Sequence, residues 1–383
     1  MLGLTGQRPK NLYLHVPFCP HVCPYCDFHK MLRDERLVAR YIERMRDEIL
    51  ELGRRWGGPL ETVYLGGGTP SHLTDAELAT LFGSVDTAFG GVPTLEVTLE
   101  ADPGTFDASR LDVFRSWGVT RLSLGVQSLQ EDTLRFLGRA HSAQEARYAA
   151  HAALEAGFEV SVDLMTAVPG QDTEADLRAL AELGARHLSV YTLTIEPYTP
   201  FALRNVSVNE DHATDAYLQA AEVLSAYGYE RYEVSNHAQP GAEAVHNQAY
   251  WHGAPFLAAG PSAAAYLPSD RGLGVRVTNP PIKAWLEGAP AEREDVDAER
   301  YLLERLMTGL RTRRGVDLED VTKRCGVDPR ERFKDLIADL VGSGHLILDD
   351  PDTTKIPATG STLRATPDGL LVLDAILRRF AAA

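Results

Sequence analysis

Cysteine is scarce in this chain, with four among 383 residues. That scarcity argues against a disulfide-stapled secreted domain, and no signal peptide or pro-region is recognisable, so a reducing cytoplasm is the expected setting. A peripheral place at the inner membrane is left open. Long apolar runs are missing as well: none approaches the roughly 20 residues that a bilayer-spanning helix requires. Positive charge is in deficit, with 38 Lys and Arg against 54 Asp and Glu and a net charge of −16. That balance counts against nucleic acid as a partner, because sequence-independent binding needs a basic surface. The one local exception, Arg311, Arg313 and Arg314, reads as a solvated helix end. Walker and Rossmann glycine patterns are absent, as are a C-x-x-C-H heme-attachment motif and any internal repeat beyond strand–helix alternation. With 44% hydrophobic residues, the length suits one large and one small globular domain.

Three of the four cysteines fall within eight residues, Cys19, Cys23 and Cys26, spaced C-x3-C-x2-C in HVPFCPHVCPYCDFHK. Three thiolates can hold a cubane iron–sulfur cluster and leave its fourth iron open to a small molecule. A structural zinc site would want a fourth ligand, for which His21, Asp27 or His29 is available. A disulfide would leave an odd thiol.

Strand-like and helical stretches alternate through the first 235 residues. Strands are expected at 11–16, 62–65, 95–100, 120–126, 159–165 and 187–193, and a further one in YERYEV at 229–234. Between them, Leu37, Val38, Tyr41, Ile42, Met45, Ile49 and Leu52 recur at helical spacing, with Gly53 placed to end that helix. Thr74 with Glu77 and Ser142 with Glu145 form candidate capping boxes. Six βα units in a row predict a parallel sheet curling into a partial or full barrel. The unusual residues then gather on one rim. The cysteine loop, Gly66-Gly67-Gly68-Thr69-Pro70, Glu100, Gln127 and Asp163 follow or end successive strands, on the face where parallel barrels build their sites. The glycines would let backbone approach a ligand closely, with amides and the Thr69 hydroxyl as partners. Glu100, Gln127 and Asp163 could accept from hydroxyls or an amine, and Arg139 could clamp a carboxylate. The plainer readings are a tight turn, solvated strand ends and a surface arginine.

Together the motifs YLHVPFCPHVCPYCDF, YLGGGTPS, LEADPGTF, LSLGVQS, VDLMTAVPGQ, YEVSN and HNQAYW resemble the oxygen-independent coproporphyrinogen III oxidase-like branch of the radical S-adenosylmethionine superfamily, over nearly the whole chain. The resemblance implies an α/β fold, a partial (β/α)6 radical-SAM barrel with a small C-terminal helical, winged-helix-like domain. It implies that Cys19, Cys23 and Cys26 ligate a 4Fe–4S cluster. It also implies that Tyr13, Gly67, Gly68, Thr69, Glu100, Gln127, Arg139 and Asp163 line the pocket for S-adenosyl-L-methionine, whose sulfonium an electron from the cluster would cleave. In VDLMTAVPGQ, Thr166, Ala167 and Val168 depart from the branch's usual ending.

Two departures narrow the resemblance. The oxidases carry a further cysteine two residues after the third, where this chain has Phe28, and a longer segment before the cluster loop, where this chain has 18 residues. Both point to the HemW-like heme chaperones. Their HNxxYW motif, associated with heme, is matched here by His246, Asn247, Tyr250 and Trp251. His246 could offer an imidazole to heme iron while the two aromatics stack on a porphyrin, with His237 a secondary candidate; a histidine beside aromatics is also a common core residue. The implied partners are heme as cargo, heme-requiring acceptors including membrane-bound respiratory ones, and an electron donor, with a homodimer left open. The alternative is a coproporphyrinogen III dehydrogenase that decarboxylates propionates, so whether the chain is an enzyme stays open at this level.

Boundaries are expected at 1–235 for the barrel core, 236–297 for the HNxxYW segment and a Pro/Gly-rich linker or covering stretch, and 298–383 for the C-terminal domain. In the last, GHLILDD and STLRAT could pair as a hairpin before a helix opened by Thr366 and Pro367, and Cys325 reads as a spare thiol.

Overall fold

The structure is a computed structural model that describes residues 7–270, 272–349 and 361–383. Its main sheet is built from twelve strands: β1 (Asn11–Val16), β2 (Thr62–Gly67), β3 (Glu96–Ala101), β4 (Arg121–Gln127), β5 (Glu159–Thr166), β6 (His187–Thr192), β7 (Glu230–Arg231), β8 (Asn236–Ala238), β9 (Phe256–Ala259), β10 (Ala264–Leu267), β11 (Gly274–Thr278) and β12 (Glu292–Val296). They lie in the order β12-β11-β10-β9-β1-β2-β3-β4-β5-β6-β8-β7. The run from β9 to β6 is parallel. The six expected strands are all present, and β9 adds a seventh on the far side of β1. The sheet ends in antiparallel strands on both flanks, which leaves a partial barrel.

The strand sequences explain why the inside is hollow. Leu99, Leu122, Leu124, Val160, Val162, Leu188 and Val190 join the hydrophobic core. The alternate positions, Thr98 and Glu100, Ser123 and Gly125, Ser161 and Asp163, His187 and Ser189, line a central cavity. Side chains alternate faces with period two, so apolar residues meet the helices and small or polar ones face the lumen.

The covering helices start where their caps predict. Helix α1 (Glu35–Trp56) is capped by Asp34, and α2 (Asp75–Phe89) carries the Thr74–Glu77 capping box. Next come α3 (Ala108–Ser116), α4 (Glu131–Phe136), and α5 (Ala143–Glu155) with the Ser142–Glu145 box. They are followed by α6 (Thr173–Ala181) and α7 (Glu210–Ala226). Gly53 does not end α1. A Cβ there would sit 2.6 Å from Ala88, so its role is to let α1 lie close against α2.

Two further expectations need correction. The stretch 267–297 is no simple linker: it supplies β11, β12 and a short helix, Ile282–Leu286, whose Ile282 and Trp285 enter the main core. YERYEV forms only the two-residue β7, because the Tyr232 amide turns back to the Asn236 carbonyl at 3.1 Å. Helix α8 (Val245–Trp251) carries HNQAYW and sits at the amino ends of β1–β3. The C-terminal region begins with α9 (Ala298–Gly309) and contains a three-stranded sheet of β13 (Val316–Asp317), β14 (Leu346–Asp349) and β15 (Thr362–Ala365), in the order β13-β15-β14. The expected hairpin pairs Leu346 with Ala365. Its core joins Tyr266, Leu273 and Val296 of the extended sheet to Tyr301, Leu306 and Phe380.

Candidate active site at the carboxyl ends of the strands

The three cysteines sit on one loop that is tied at both ends. Phe18 and Cys19 pair in parallel with Met31 and Leu32, which closes residues 20–30 into a compact excursion. Cys19 and Cys23 are buried and Cys26 is half-buried. All three line one cavity of about 360 Å³, together with Gly67, Gly68, Thr69, Glu100, Gln127, Arg139 and Asp163. Tyr13 is the one expected pocket residue outside that lining. Its hydroxyl lies 2.9 Å from Nδ1 of His15, whose Nε2 is 2.9 Å from the carbonyl of His29.

The glycine turn serves a different purpose from the one its composition suggests. Its amides are used inside the protein: Gly67 donates to Glu100 at 2.9 Å, Gly68 to the Val16 carbonyl at 2.7 Å, and Thr69 to the Phe18 carbonyl at 2.9 Å. Side chains are excluded by sterics. A Cβ on Gly66 would lie 2.7 Å from the Tyr64 ring, and one on Gly68 2.9 Å from the Val16 and Phe18 carbonyls. Gly67 has φ of +112°, and a Cβ there would strike the His15 ring at 2.5 Å. The glycines therefore bring the β2 turn against the cysteine loop and leave the Thr69 side chain facing the Cys19 thiol.

Charge is concentrated deep in this cavity. Glu100 accepts from the Tyr64 hydroxyl at 2.7 Å as well as from Gly67, and burial still holds its carboxyl above the usual range. Burial and the Glu100 charge push Asp163 up to about 7, against the Ser189 and Ser123 hydroxyls. Arg139 is placed by Asp102, which takes its Nη2 at 2.6 Å, and by the Gly125 carbonyl at 2.8 Å; its Nη1 donates to the Cys23 sulfur at 3.2 Å. Burial works to raise Asp102, but His141 and Arg139 hold it at about 2. Burial also pushes Cys19 up to about 11. For Cys23, His21 and Arg139 outweigh burial and hold the thiol below its ordinary value.

Several polar atoms here lack a protein partner: Gln127 Oε1, Thr98 Oγ1 and Arg139 Nε are buried without a hydrogen bond. Gln127 also adopts φ of 68°, unusual for a side-chain-bearing residue. Such groups are costly unless a ligand or water completes them. Sequence reasoning missed Asp102, His141, Ser123 and Ser189. Asp102 stands in the LEADPGTF motif, and the serines were legible as the polar members of alternating strands.

The HNQAYW residues lie at the other end. Glu96 at the start of β3 accepts from the Val245 and His246 amides at 3.0 and 2.8 Å, and so caps α8. It also pairs with Arg121, 3.1 Å away and equally buried. His246 is 0% exposed. Thr62 gives its hydroxyl proton to Asn11, so it accepts from His246 Nδ1 at 2.7 Å; Nε2 then accepts from the Tyr250 hydroxyl. Burial lowers this imidazole to about 3. Its only free lone pair is occupied, so this arrangement does not present His246 to iron. Tyr250 packs against Phe256, Asn247 reaches the main cavity, and Trp251 borders a second one. His237 is buried, and neither of its ring nitrogens has a partner.

A profile of the radical SAM superfamily matches residues 13–175, and one of the HemN C-terminal domain matches residues 296–351. The chain is 35% identical to the heme chaperone HemW of Synechocystis over 82% of its own length and 80% of the relative's. It is 37% identical to the heme chaperone HemW of Escherichia coli over 76% and 79%. The chain belongs to the HemW family. Its fold matches that of the solved coproporphyrinogen III oxidase HemN from Escherichia coli, with a TM-score of 0.81 over 97% of this chain and 90% of that one, at 21% identity.

Radical SAM membership implies a 4Fe–4S cluster and S-adenosyl-L-methionine. The donor set fits: three thiols open on one cavity with unpartnered polar atoms behind them. Among the described residues no three His, Cys, Asp or Glu side chains are arranged around a single-ion position. A cubane takes each thiolate on a separate iron and so needs a wider spread. Also among the described residues, no helix is long and apolar enough to cross a membrane.

Proposed function

We propose that this chain is a heme chaperone that carries a 4Fe–4S cluster and a site for S-adenosyl-L-methionine, and that hands heme to acceptor hemoproteins. The observation that carries the reading is residue 28. The oxidases the chain resembles have a cysteine there, whereas this chain has Phe28, 63% exposed and lining the cavity beside Cys26. The HemW relatives support the same reading through their names.

Cys19, Cys23 and Cys26 would hold the cluster, which supplies an electron to a sulfonium nucleoside when both are bound. The protein's own residues do the rest. Thr69 and Arg139 orient the sulfurs of Cys19 and Cys23, Glu100 and Asp163 offer hydrogen-bonding groups for hydroxyls, and Gln127 offers an unused acceptor. An electron donor reduces the cluster, and acceptors, membrane-bound respiratory proteins among them, receive heme from a cytoplasmic or membrane-peripheral protein.

Heme titration of the anaerobically reconstituted protein tests this. Saturable binding, with transfer to an apo-hemoprotein, is expected. Failure to bind heme, together with conversion of coproporphyrinogen III to protoporphyrinogen under reducing conditions, would replace it with the oxidase reading.

A further inference from the structure

Arg139 reaches the cysteine loop because the turn that carries it is fitted there. Helix α4 ends in a turn at Gly138, whose φ of +67° is left-handed, and the Arg139 amide donates back to the Leu134 carbonyl at 2.9 Å. A Cβ on Gly138 would lie 2.7 Å from Cδ of Pro24, inside the cysteine loop. Four of the five guanidinium N–H groups then meet acceptors within the protein. Nη2 gives to Asp102 Oδ2 at 2.6 Å and to the Gly125 carbonyl at 2.8 Å, and Nη1 to the Cys23 sulfur at 3.2 Å and the Tyr25 hydroxyl at 3.4 Å. Nε is left, buried and without a partner. A fork so occupied cannot clamp a ligand carboxylate through two parallel bonds, and its outward donor is spent on a sulfur.

Asp102 holds the fork in that pose, and His141 holds Asp102. The side chains of Arg139, Asp102 and His141 are 8%, 9% and 0% exposed, so water does not compete for these contacts. His141 Nδ1 faces Asp102 Oδ1 at 3.3 Å, and Nε2 faces the Val126 carbonyl at 3.1 Å. Both neighbours are acceptors, since Asp102 is held at about 2 and is ionised. Both ring nitrogens therefore donate, and the ring is an imidazolium. The row His141–Asp102–Arg139 alternates plus, minus and plus, leaves one net positive charge, and ends on the Cys23 sulfur. It also ties down the Gly125 and Val126 carbonyls just before Gln127, where β4 is bulged and φ is 68°. A hydrogen bond to a ligating sulfur and a positive charge nearby both favour the reduced form of an iron–sulfur cluster. We propose that His141 is a positioning residue that acts through Asp102 and Arg139 on the Cys23 sulfur, raising the reduction potential of the cluster there and steadying Gln127 for the nucleoside. The inference rests on the cluster reading and adds the residues that tune it.

The test measures the midpoint potential of the anaerobically reconstituted full-length protein, by electron paramagnetic resonance during a reductive titration. It compares wild type with Arg139→Gln, His141→Phe, His141→Asn and the double variant Arg139→Gln/His141→Phe. Iron and sulfide content and circular dichroism check that each is loaded and folded. Arg139→Gln should disfavour the reduced state about tenfold, which is about 59 mV for one electron. His141→Phe should shift it the same way by a smaller, several-fold factor, and should weaken S-adenosyl-L-methionine binding several-fold in calorimetry. His141→Asn returns a donor to Asp102 and should fall between His141→Phe and wild type. The double variant should match Arg139→Gln alone, because His141 acts through Arg139. If His141→Phe fails to fold, His141→Asn and its own double variant with Arg139→Gln decide. Wild-type potentials in the His141 variants, or shifts that add in full in the double variant, would overturn the relay and leave the cluster standing. A wild type that takes up no iron and sulfide would remove the cluster reading itself, and the relay with it.

Discussion

The two ends of the barrel treat buried polar groups in opposite ways. At the carboxyl end, Gln127 Oε1 and Arg139 Nε are buried without partners, and Asp163 is forced up to about 7. At the amino end, Asn11, Thr62, Glu96, Arg121, His246 and Tyr250 form a connected network with the α8 amides. An interior polar group without a partner is a cost that folding alone does not repay, whereas a connected network stabilises the fold itself. The first end is built to be completed by something outside the chain. At the second, the network around His246 is complete and serves as a floor on which the first rests, although Trp251 Nε1 and both His237 ring nitrogens nearby are left without partners. A motif is thus a poor guide to which end does chemistry, since HNQAYW and the cysteine loop are equally conspicuous as sequence.

The comparison breaks first at the cysteines. Cys23→Ala should abolish the iron–sulfur absorption and lower bound iron and sulfide to background, with the circular dichroism of the fold retained; full iron and sulfide in that variant would show that the rim is not a cluster site. Next in size is the floor. Glu96→Ala leaves Arg121 buried and uncompensated and uncaps α8, and should cost about 3–5 kcal/mol in urea unfolding. A loss under about 1 kcal/mol would mean the network is ornamental. The glycine turn comes third. Gly67→Ala should destabilise by ~1–3 kcal/mol through its backbone alone and weaken nucleoside binding by displacing His15, as read by calorimetry.

The two ends also predict opposite signs with pH. Asp163 titrates near 7 folded and near about 3.9 unfolded. Between those values folding takes up a proton, so its contribution is full below the window and is lost as pH rises through it. His246 titrates near 3 folded and near about 6.5 unfolded. Its contribution is full above that window and is lost as pH falls through it. In cluster-free protein, Asp163→Asn should gain stability relative to wild type from pH 4 to 7, and His246→Gln should gain on wild type as pH falls from 6.5. Pairs of unfolding curves across pH check both; parallel curves in either case would mean that group's environment is not as described.

Much of this was legible in the residues. Apolar–polar alternation in RLSLGVQ and EVSVDLMT located β4 and β5 and, with hindsight, their lumen-facing serines. Capping pairs fixed the starts of α2 and α5 because the cap is a local interaction. The rest depended on distant partners. Gly53 looked like a helix stop, but what it meets is Ala88 in another helix. Residues 274–296 looked like linker because antiparallel edge strands with charged faces, such as EREDV, carry little periodic signal; their register with β10 comes from tertiary pairing. The glycine turn was located correctly for a reason the sequence could not contain, since the groups it accommodates belong to His15, Tyr64 and Glu100.

The most direct measurement is electron paramagnetic resonance of the anaerobically reconstituted, reduced protein with and without S-adenosyl-L-methionine. A 4Fe–4S signal that shifts when the nucleoside is added is the expected result, because three thiolates leave one iron for it to reach. A protein that holds zinc without sulfide, or a cluster signal indifferent to the nucleoside, would contradict the account.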